Sequence, residues 1–318
     1  MKKLMSRIYF NAYRFNYTNA PKLNHWKPVD VSLELTSHCN QACSYCYHAG
    51  AVPFSKGFMK LETAKLIIAQ AADLKVPSLK MNWKGESTLN PDFETITAFA
   101  KDLATGRTFI ERITNSNFKF STNRVDIFNG LANQTKVKVS FDSFKPGVME
   151  KQRAGSNWAQ AIANIDRFYN WPGRETEIVI QSVITELNAN EDIEHEVKKR
   201  WPEATVSIRN MVAGRVENDF VKENEVISRD VGERQSCIQA HARLIFNWDG
   251  VAYPCCVDIA ETMPLGDIKT ADLYQIFQSD AATKLRKSLL DKSAFSCGAC
   301  KTCSSFESYR GYKAPWHS

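Results

Sequence analysis

Cys39, Cys43 and Cys46 are spaced as a ligand set. They lie in the stretch Leu33-Glu-Leu-Thr-Ser-His-Cys-Asn-Gln-Ala-Cys-Ser-Tyr-Cys-Tyr-His48, directly after an apolar, strand-like run of Val31, Leu33 and Leu35. A tight loop with this spacing presents three thiolates to one metal cluster. Cubane iron-sulfur clusters usually take four cysteines, so three on one loop leave one iron open for another ligand. Zinc more commonly shows paired C-x-x-C units or cysteine/histidine mixtures. Unrelated buried thiols are the bland alternative. On spacing alone all three stay open. His38 and His48 flank the loop, and neither is assigned as a ligand.

A second group lies near the carboxyl end: Cys237, Cys255, Cys256, Cys297, Cys300 and Cys303. Leu244 to Cys255 alternates apolar residues on both sides of Asp249-Gly250, the pattern of a β-hairpin with a tight turn. Pro254 ends its second strand beside Cys255, and Pro264-Leu-Gly-Asp-Ile268 is a second turn. A zinc site built from these thiols is the rival to a cluster.

The C-x-x-x-C-x-Φ-C pattern, with Tyr45 as the aromatic Φ, resembles the signature of radical S-adenosylmethionine (radical SAM) enzymes. The resemblance implies a [4Fe-4S] cluster on Cys39, Cys43 and Cys46, with SAM on the open iron and Tyr45 near its adenine. In that family an electron from the cluster cleaves SAM to methionine and a 5′-deoxyadenosyl radical, which takes a hydrogen atom from the substrate. Lys84-Gly85-Glu86-Ser87 resembles the family's G-G-E-P motif, which holds the SAM amino group, although Lys84 and Ser87 depart from it. By the same resemblance Gly85 allows close backbone approach and Glu86 accepts from the ammonium. Ser121-Thr122-Asn123 resembles the T-N-G turn, with Arg124 in place of glycine. Ser140-Phe141-Asp142 resembles the S-x-D strand end, where Ser140 or Asp142 contacts the SAM ribose or the substrate. Arg153 corresponds to the arginine that pairs with the SAM carboxylate, a task suited to a guanidinium fork.

The carboxyl-terminal hairpin, turn and cysteines resemble the SPASM or twitch extension of the same enzymes. Six cysteines are too few for two auxiliary clusters, so one auxiliary [4Fe-4S] cluster is expected. Its ligands are Cys237, Cys255 and two of Cys297, Cys300 and Cys303, with Cys300 and Cys303 favoured. Cys256 is expected to be a small buried residue.

The elements that must position these groups follow a βα alternation from Val31 onward. Helices are predicted at 60–74, from 90, at 158–169, at 192–200 and at 273–290. Strands are predicted at 78–83, 118–121, 136–141, 177–183 and 205–208. Six βα units are too few for a closed eightfold barrel and match the superfamily's partial (β/α)6 barrel. The expected organisation is an extension at 1–30, a radical SAM barrel at 31–214, a connector at 215–236 and an auxiliary-cluster domain at 237–318.

The 318 residues contain no apolar run near the roughly 20 needed to cross a bilayer, and the basic start lacks a signal-peptide h-region. A net charge of +6 without a basic, aromatic-interleaved stretch argues against nucleic acid. Nine cysteines without an export signal point to thiols in a reducing cytoplasm. The expected activity is a radical SAM oxidoreductase, a dehydrogenase acting on a small polar molecule such as a sugar or cyclitol. A flavodoxin- or ferredoxin-type one-electron reductant is the expected partner. A peptide or protein side-chain maturase is the alternative, disfavoured because only about 30 residues precede the barrel, too few for a leader-binding domain. A non-catalytic zinc or iron-sulfur module is the third possibility.

Overall fold

The computed structural model describes residues 2–49, 53–116, 124–210, 236–291, 293, 298–300 and 303. Strand β1 (Asp30–Leu33) leads into a loop that carries β2 (Ala42–Cys43). The chain continues through β3 (Ser78–Lys80), β4 (Glu111–Ser116) and β5 (Lys136–Ser140). After the short β6 (Arg153–Ala154) come β7 (Glu177–Ile184) and β8 (Thr205–Asn210). The last part adds β9 (Arg243–Phe246), β10 (Val251–Tyr253) and β11 (Gly266–Asp267).

Strands β1, β3, β4, β5, β7 and β8 pair in parallel in that order, as a partial (β/α)6 barrel requires. Helices Leu61–Asp73, Phe93–Asp102, Val125–Ala132, Trp158–Tyr169 and Ile193–Arg200 lie between them in sequence. Alternation sorts the side chains into two faces. Leu33, Leu79, Val137, Val139, Ile178 and Ile180 pack against Ile68, Ile96, Phe128 and Phe168 in one apolar core. Lys136, Lys138 and Ser140 take the opposite face, inside the barrel.

The helices and strands expected near 60–74, 136–141, 158–169, 177–183, 192–200 and 205–208 lie within one or two residues of those bounds. The strand expected at 118–121 lies outside the described residues, as do the Ser121-Thr122-Asn123 turn and residues 215–235 of the connector; the described third barrel strand is Glu111–Ser116. Helical spacing at 273–290 resolves into two helices, Leu273–Phe277 and Asp280–Leu290. The chain breaks between them because the Ser279 hydroxyl caps the second by accepting from the Ala282 amide at 3.3 Å.

Two arrangements differ from the expected plan. Residues 1–30 hold a helix, Lys2–Thr18, rather than a plain extension. Its Tyr13 and Tyr17, one turn apart, are buried with Val29 and Ala242. The Lys80 and Arg243 cations lie 5.6 and 5.7 Å from the Tyr17 ring, which seats the helix at the amino ends of the strands. The hairpin also continues the barrel sheet, because β9 pairs in parallel with β1 from Asp30↔Arg243 to Leu33↔Phe246. Buried Asp30 locks that join, with Arg243 and Lys80 each at 2.7 Å and the Ser78 hydroxyl donating at 2.7 Å. Burial alone would raise the Asp30 carboxyl, but Arg243 and Lys80 hold it well below the usual carboxylate range.

Candidate cluster and cofactor site

The cysteine loop crosses the carboxyl end of the sheet and is tied down on both sides. Asn90 donates to the carbonyls of Leu35 and Met59 at 2.7 and 3.0 Å. The Glu86 amide donates to the His38 carbonyl at 2.9 Å, and the Tyr47 hydroxyl to the Trp83 carbonyl at 3.0 Å. His48 bonds the Lys84 carbonyl at 2.7 Å, and His38 stacks on Phe58 with centroids 4.7 Å apart. On the other side β2 pairs with β6, setting Cys43 opposite Arg153. Cys43 is buried, and Cys39 and Cys46 are half-buried. Burial pushes the Cys39 thiol up to about 12, and Glu86, Cys43 and Cys46 add to the rise, so the three sulfurs feel one another's charge.

Among the described residues no three His, Cys, Asp or Glu side chains converge to hold a single metal ion. A four-iron cube asks less convergence, since each thiolate meets a different corner. Three thiols on one loop tied down on both sides, with Cys39 feeling the charges of Cys43, Cys46 and Glu86, fit such a cluster with one corner left over. Cys39, Cys43 and Cys46 would hold it.

Gly85 is enforced by geometry. A Cβ there would collide with the carbonyl oxygens of Thr36 and His38, the backbone that launches the cysteine loop. Gly85→Ala is therefore expected to cost about 1–3 kcal/mol as an overpacked contact and to lower the iron content of anaerobically purified protein. An unchanged urea midpoint and iron content would show that the close approach is unimportant. Glu86 is buried, and its Oε1 accepts from the Thr88 hydroxyl at 2.6 Å and the Thr88 amide at 3.3 Å.

Asp142 and Arg153 meet each other. The guanidinium donates twice, Nε to Oδ2 at 2.8 Å and Nη2 to Oδ1 at 3.0 Å, with both side chains buried. Oδ1 also accepts from the Val183 amide at 2.9 Å, and Oδ2 from the Tyr45 hydroxyl at 2.6 Å. The remaining guanidinium nitrogen, Nη1, stands 3.8 Å from the Cys43 sulfur, and the group lies 5.5 Å from the Tyr45 ring centroid. One carboxylate thus joins the cysteine loop to the ends of β5 and β7. Ser140 is half-buried on the inner face, two residues earlier.

The second set of thiols gathers around the hairpin. Cys237 caps helix Ile238–Ala242, and Cys255 follows β10 after Pro254. Burial pushes the Cys237 thiol up to about 11, with Cys303 and Cys256 adding to the rise; Cys255 is raised by burial, Cys237 and Cys256. Buried Cys300 packs with Ala240, Leu289 and Cys237. Cys297 lies outside the described residues. Cys256, expected to be buried, is half-buried, because its thiol and its amide both turn to Gln239 Oε1, each at 3.3 Å, instead of into the core.

Residues 237–304 match SPASM, an iron-sulfur cluster-binding domain. No curated protein matches the chain. Among solved structures, BtrN in complex with AdoMet and 2-DOIA aligns over 87% of this chain and 92% of its own, with 17% identity and a TM-score of 0.58. Native anSMEcpe with bound AdoMet aligns over 89% and 88%, at 17% identity and 0.63. Streptococcus suis SuiB bound to precursor peptide SuiA aligns over 88% and 71%, at 14% identity and 0.64. The chain shares the fold of these structures, and residues 237–304 are a SPASM domain.

Lys84, a departure from the G-G-E-P pattern, is explained by the junction between the parallel barrel strands and the SPASM domain. Its fully buried ammonium pairs with Glu261 of the SPASM domain and lies 3.5 Å from Glu34 at the end of β1. The neighbouring Trp83 indole donates to the Cys256 carbonyl at 3.1 Å. Sequence patterns missed Glu34, Lys84 and Glu261; a lysine in a motif that ordinarily holds glycine was the available signal. The Trp248 amide donates to Glu34 Oε2 at 3.2 Å, but Oε1 is buried without a hydrogen bond. Burial lifts the Glu34 carboxyl to about 7 despite Lys84.

A raised carboxyl contributes stability below its unfolded value of about 4.3, and that stability is lost as pH rises through about 7. Glu34→Gln is expected to stabilise the protein at pH 8 relative to wild type while giving no gain at pH 5. Urea midpoints at the two pH values check this, and an equal gain at both contradicts it.

Proposed function

We propose that the chain is a radical SAM oxidoreductase that abstracts a hydrogen atom from a small polar substrate and oxidises it. The observation that carries this reading is the cysteine loop itself, locked against Gly85 and Glu86 at the carboxyl ends of parallel strands, where α/β folds gather their active groups. When bound, a [4Fe-4S] cluster and SAM supply the electron transfer and the hydrogen-abstracting species.

The chain's own residues bind, orient and exclude water. Cys39, Cys43 and Cys46 hold three cluster corners. Gly85 and Glu86 are proposed for the SAM amino group, Ser140 for the ribose or substrate, and Tyr45 for the adenine. Arg153 and Asp142 are proposed at the SAM carboxylate and ribose. Their mutual pairing supports a further task, fixing Tyr45 and Cys43 in place. Cys237, Cys255 and two of Cys297, Cys300 and Cys303 are proposed to hold one auxiliary [4Fe-4S] cluster, which would accept the second electron from the substrate radical as that radical loses a proton to a base. A flavodoxin- or ferredoxin-type donor in the cytoplasm would supply the starting electron. Among the described residues no helix is long and apolar enough to cross a membrane.

The fold shared with SuiB bound to its precursor peptide supports peptide modification as the second reading. The decisive experiment incubates reconstituted, reduced enzyme with SAM. Release of 5′-deoxyadenosine is expected. No release, or zinc in place of iron on metal analysis, overturns the enzyme reading.

A further inference from the structure

Residues 53–60 run as a strap across the cysteine loop, antiparallel to the stretch that launches it. The Ser37 amide donates to the Gly57 carbonyl at 3.1 Å, and the Met59 amide to the Leu35 carbonyl at 2.9 Å. The Gly57 amide donates in turn to the Ser37 hydroxyl at 2.8 Å. Alternation divides the side chains of the strap. Ser55, Gly57 and Met59 turn inward, onto Glu261 and Trp248 of the SPASM domain and into the core. The Ser55 hydroxyl donates to Glu261 at 3.0 Å and accepts from the Trp248 indole at 3.2 Å. A Cβ on Gly57 would strike the Trp248 ring, and Met59 is buried.

Phe54, Lys56, Phe58 and Lys60 take the other side, over the residues that flank the three thiols. Phe54 meets the rings of Tyr47 and His48, just past Cys46, with centroids 5.7 and 5.2 Å apart. Phe58 lies flat on His38, the residue before Cys39, at 4.7 Å, yet stays 43% exposed. Exposed Lys56 and Lys60 stand two residues to either side of Phe58, roughly 7 Å away along an extended chain. Among the described residues neither lysine has a carboxylate partner. Glu34 and Glu261 turn their charge on Lys84 below, and exposed Glu62 opens the next helix one turn before Lys65. The strap therefore shows an apolar anchor between two unmatched cations, the composition of a small docking surface.

We propose that this strap docks the one-electron donor, a protein with an acidic rim around its reduced cofactor. Phe58 and His38 then bring that cofactor within one stacked pair of Cys39. The inference deepens, and rests on, the reductant named in the proposed function. One electron leaves the donor's reduced flavin or iron-sulfur group and enters the cluster proposed on Cys39, Cys43 and Cys46. The donor is oxidised, the cluster is reduced, and no atom is transferred. The sign of Lys56 and Lys60 selects the acidic partner. Electron-transfer partners associate through small, weak contacts, which is the scale of this patch.

The test titrates reconstituted holoenzyme, kept anaerobic, into fluorescently labelled flavodoxin carrying oxidised FMN. Anisotropy gives the dissociation constant at about 20 and about 200 mM NaCl, where wild-type binding should weaken as salt screens the charges. Lys56→Gln/Lys60→Gln should weaken binding about tenfold at low salt and flatten the salt dependence, because the steering charges are gone. Phe58→Ala should weaken it by a similar factor at both salt levels, because an apolar contact is lost. Lys22→Gln, at an exposed lysine ahead of β1, should change nothing. Both lysines of the double variant are exposed, so its folding does not depend on them. No binding by wild type, or unchanged affinity in the double variant, overturns the proposal. Self-association that the same substitutions abolish assigns the strap to a second copy of the chain and also overturns it. Dithionite needs no docking, so wild-type release of 5′-deoxyadenosine with dithionite tests the radical reading alone. Release with flavodoxin binding indifferent to the strap sinks the docking site, and strap-dependent binding without release sinks the radical chemistry.

Discussion

Replacing Cys39, Cys43 and Cys46 together by alanine is expected to cut bound iron from about eight to about four atoms per chain, since each cubane cluster holds four. Release of 5′-deoxyadenosine should fall to background in the same preparation. The effect is this large because a cluster with no cysteine ligand at three corners has nothing left to hold it. The four remaining irons belong to the SPASM domain, and the paired substitution Cys237→Ala/Cys255→Ala should remove those instead. If the triple variant keeps its full iron, the loop is not a cluster site, whatever its spacing. The Gly85→Ala variant probes the same loop without touching a sulfur, so iron lost there reports geometry rather than ligation.

Asp142→Ala is expected to destabilise the protein by about 3–5 kcal/mol, because it strands the buried Arg153 guanidinium without its partner. The substitution also releases the Tyr45 hydroxyl and the Val183 amide, which adds to the loss. By contrast, Asp126→Ala breaks an ion pair whose side chains are 51% and 42% exposed and should cost less than about 1 kcal/mol. A double variant, Asp142→Leu with Arg153→Met, should recover much of the loss, since apolar replacement of a buried pair is often tolerated. Urea midpoints of anaerobic preparations measure all three. Equal losses for Asp142→Ala and Asp126→Ala would mean that the central carboxylate is not the clamp described.

Much of this was legible in the chain itself. The spacing of Cys39, Cys43 and Cys46 is covalent information. So is the period-2 and period-3.6 patterning behind β5, β7 and the helix Trp158–Tyr169. The Asp249-Gly250 turn was readable for a local reason: Gly250 adopts φ 93°, which glycine alone accepts without strain. The helix Lys2–Thr18 is not legible locally, because its buried face is made by Tyr13 and Tyr17 packing on Val29 and the distant Ala242.

Sequence by itself determined the ligand spacing, the order of the βα units and the hairpin, because these depend on neighbours a few residues apart. Tertiary structure alone decided what long-range pairing controls. Tyr45 reaches Asp142 across 97 residues, Lys84 reaches Glu261 across 177, and Arg243 reaches Asp30 across 213. It also decided that Asp30 and Arg243 meet, since the parallel register of β1 with β9, and not either strand's own sequence, sets them opposite each other.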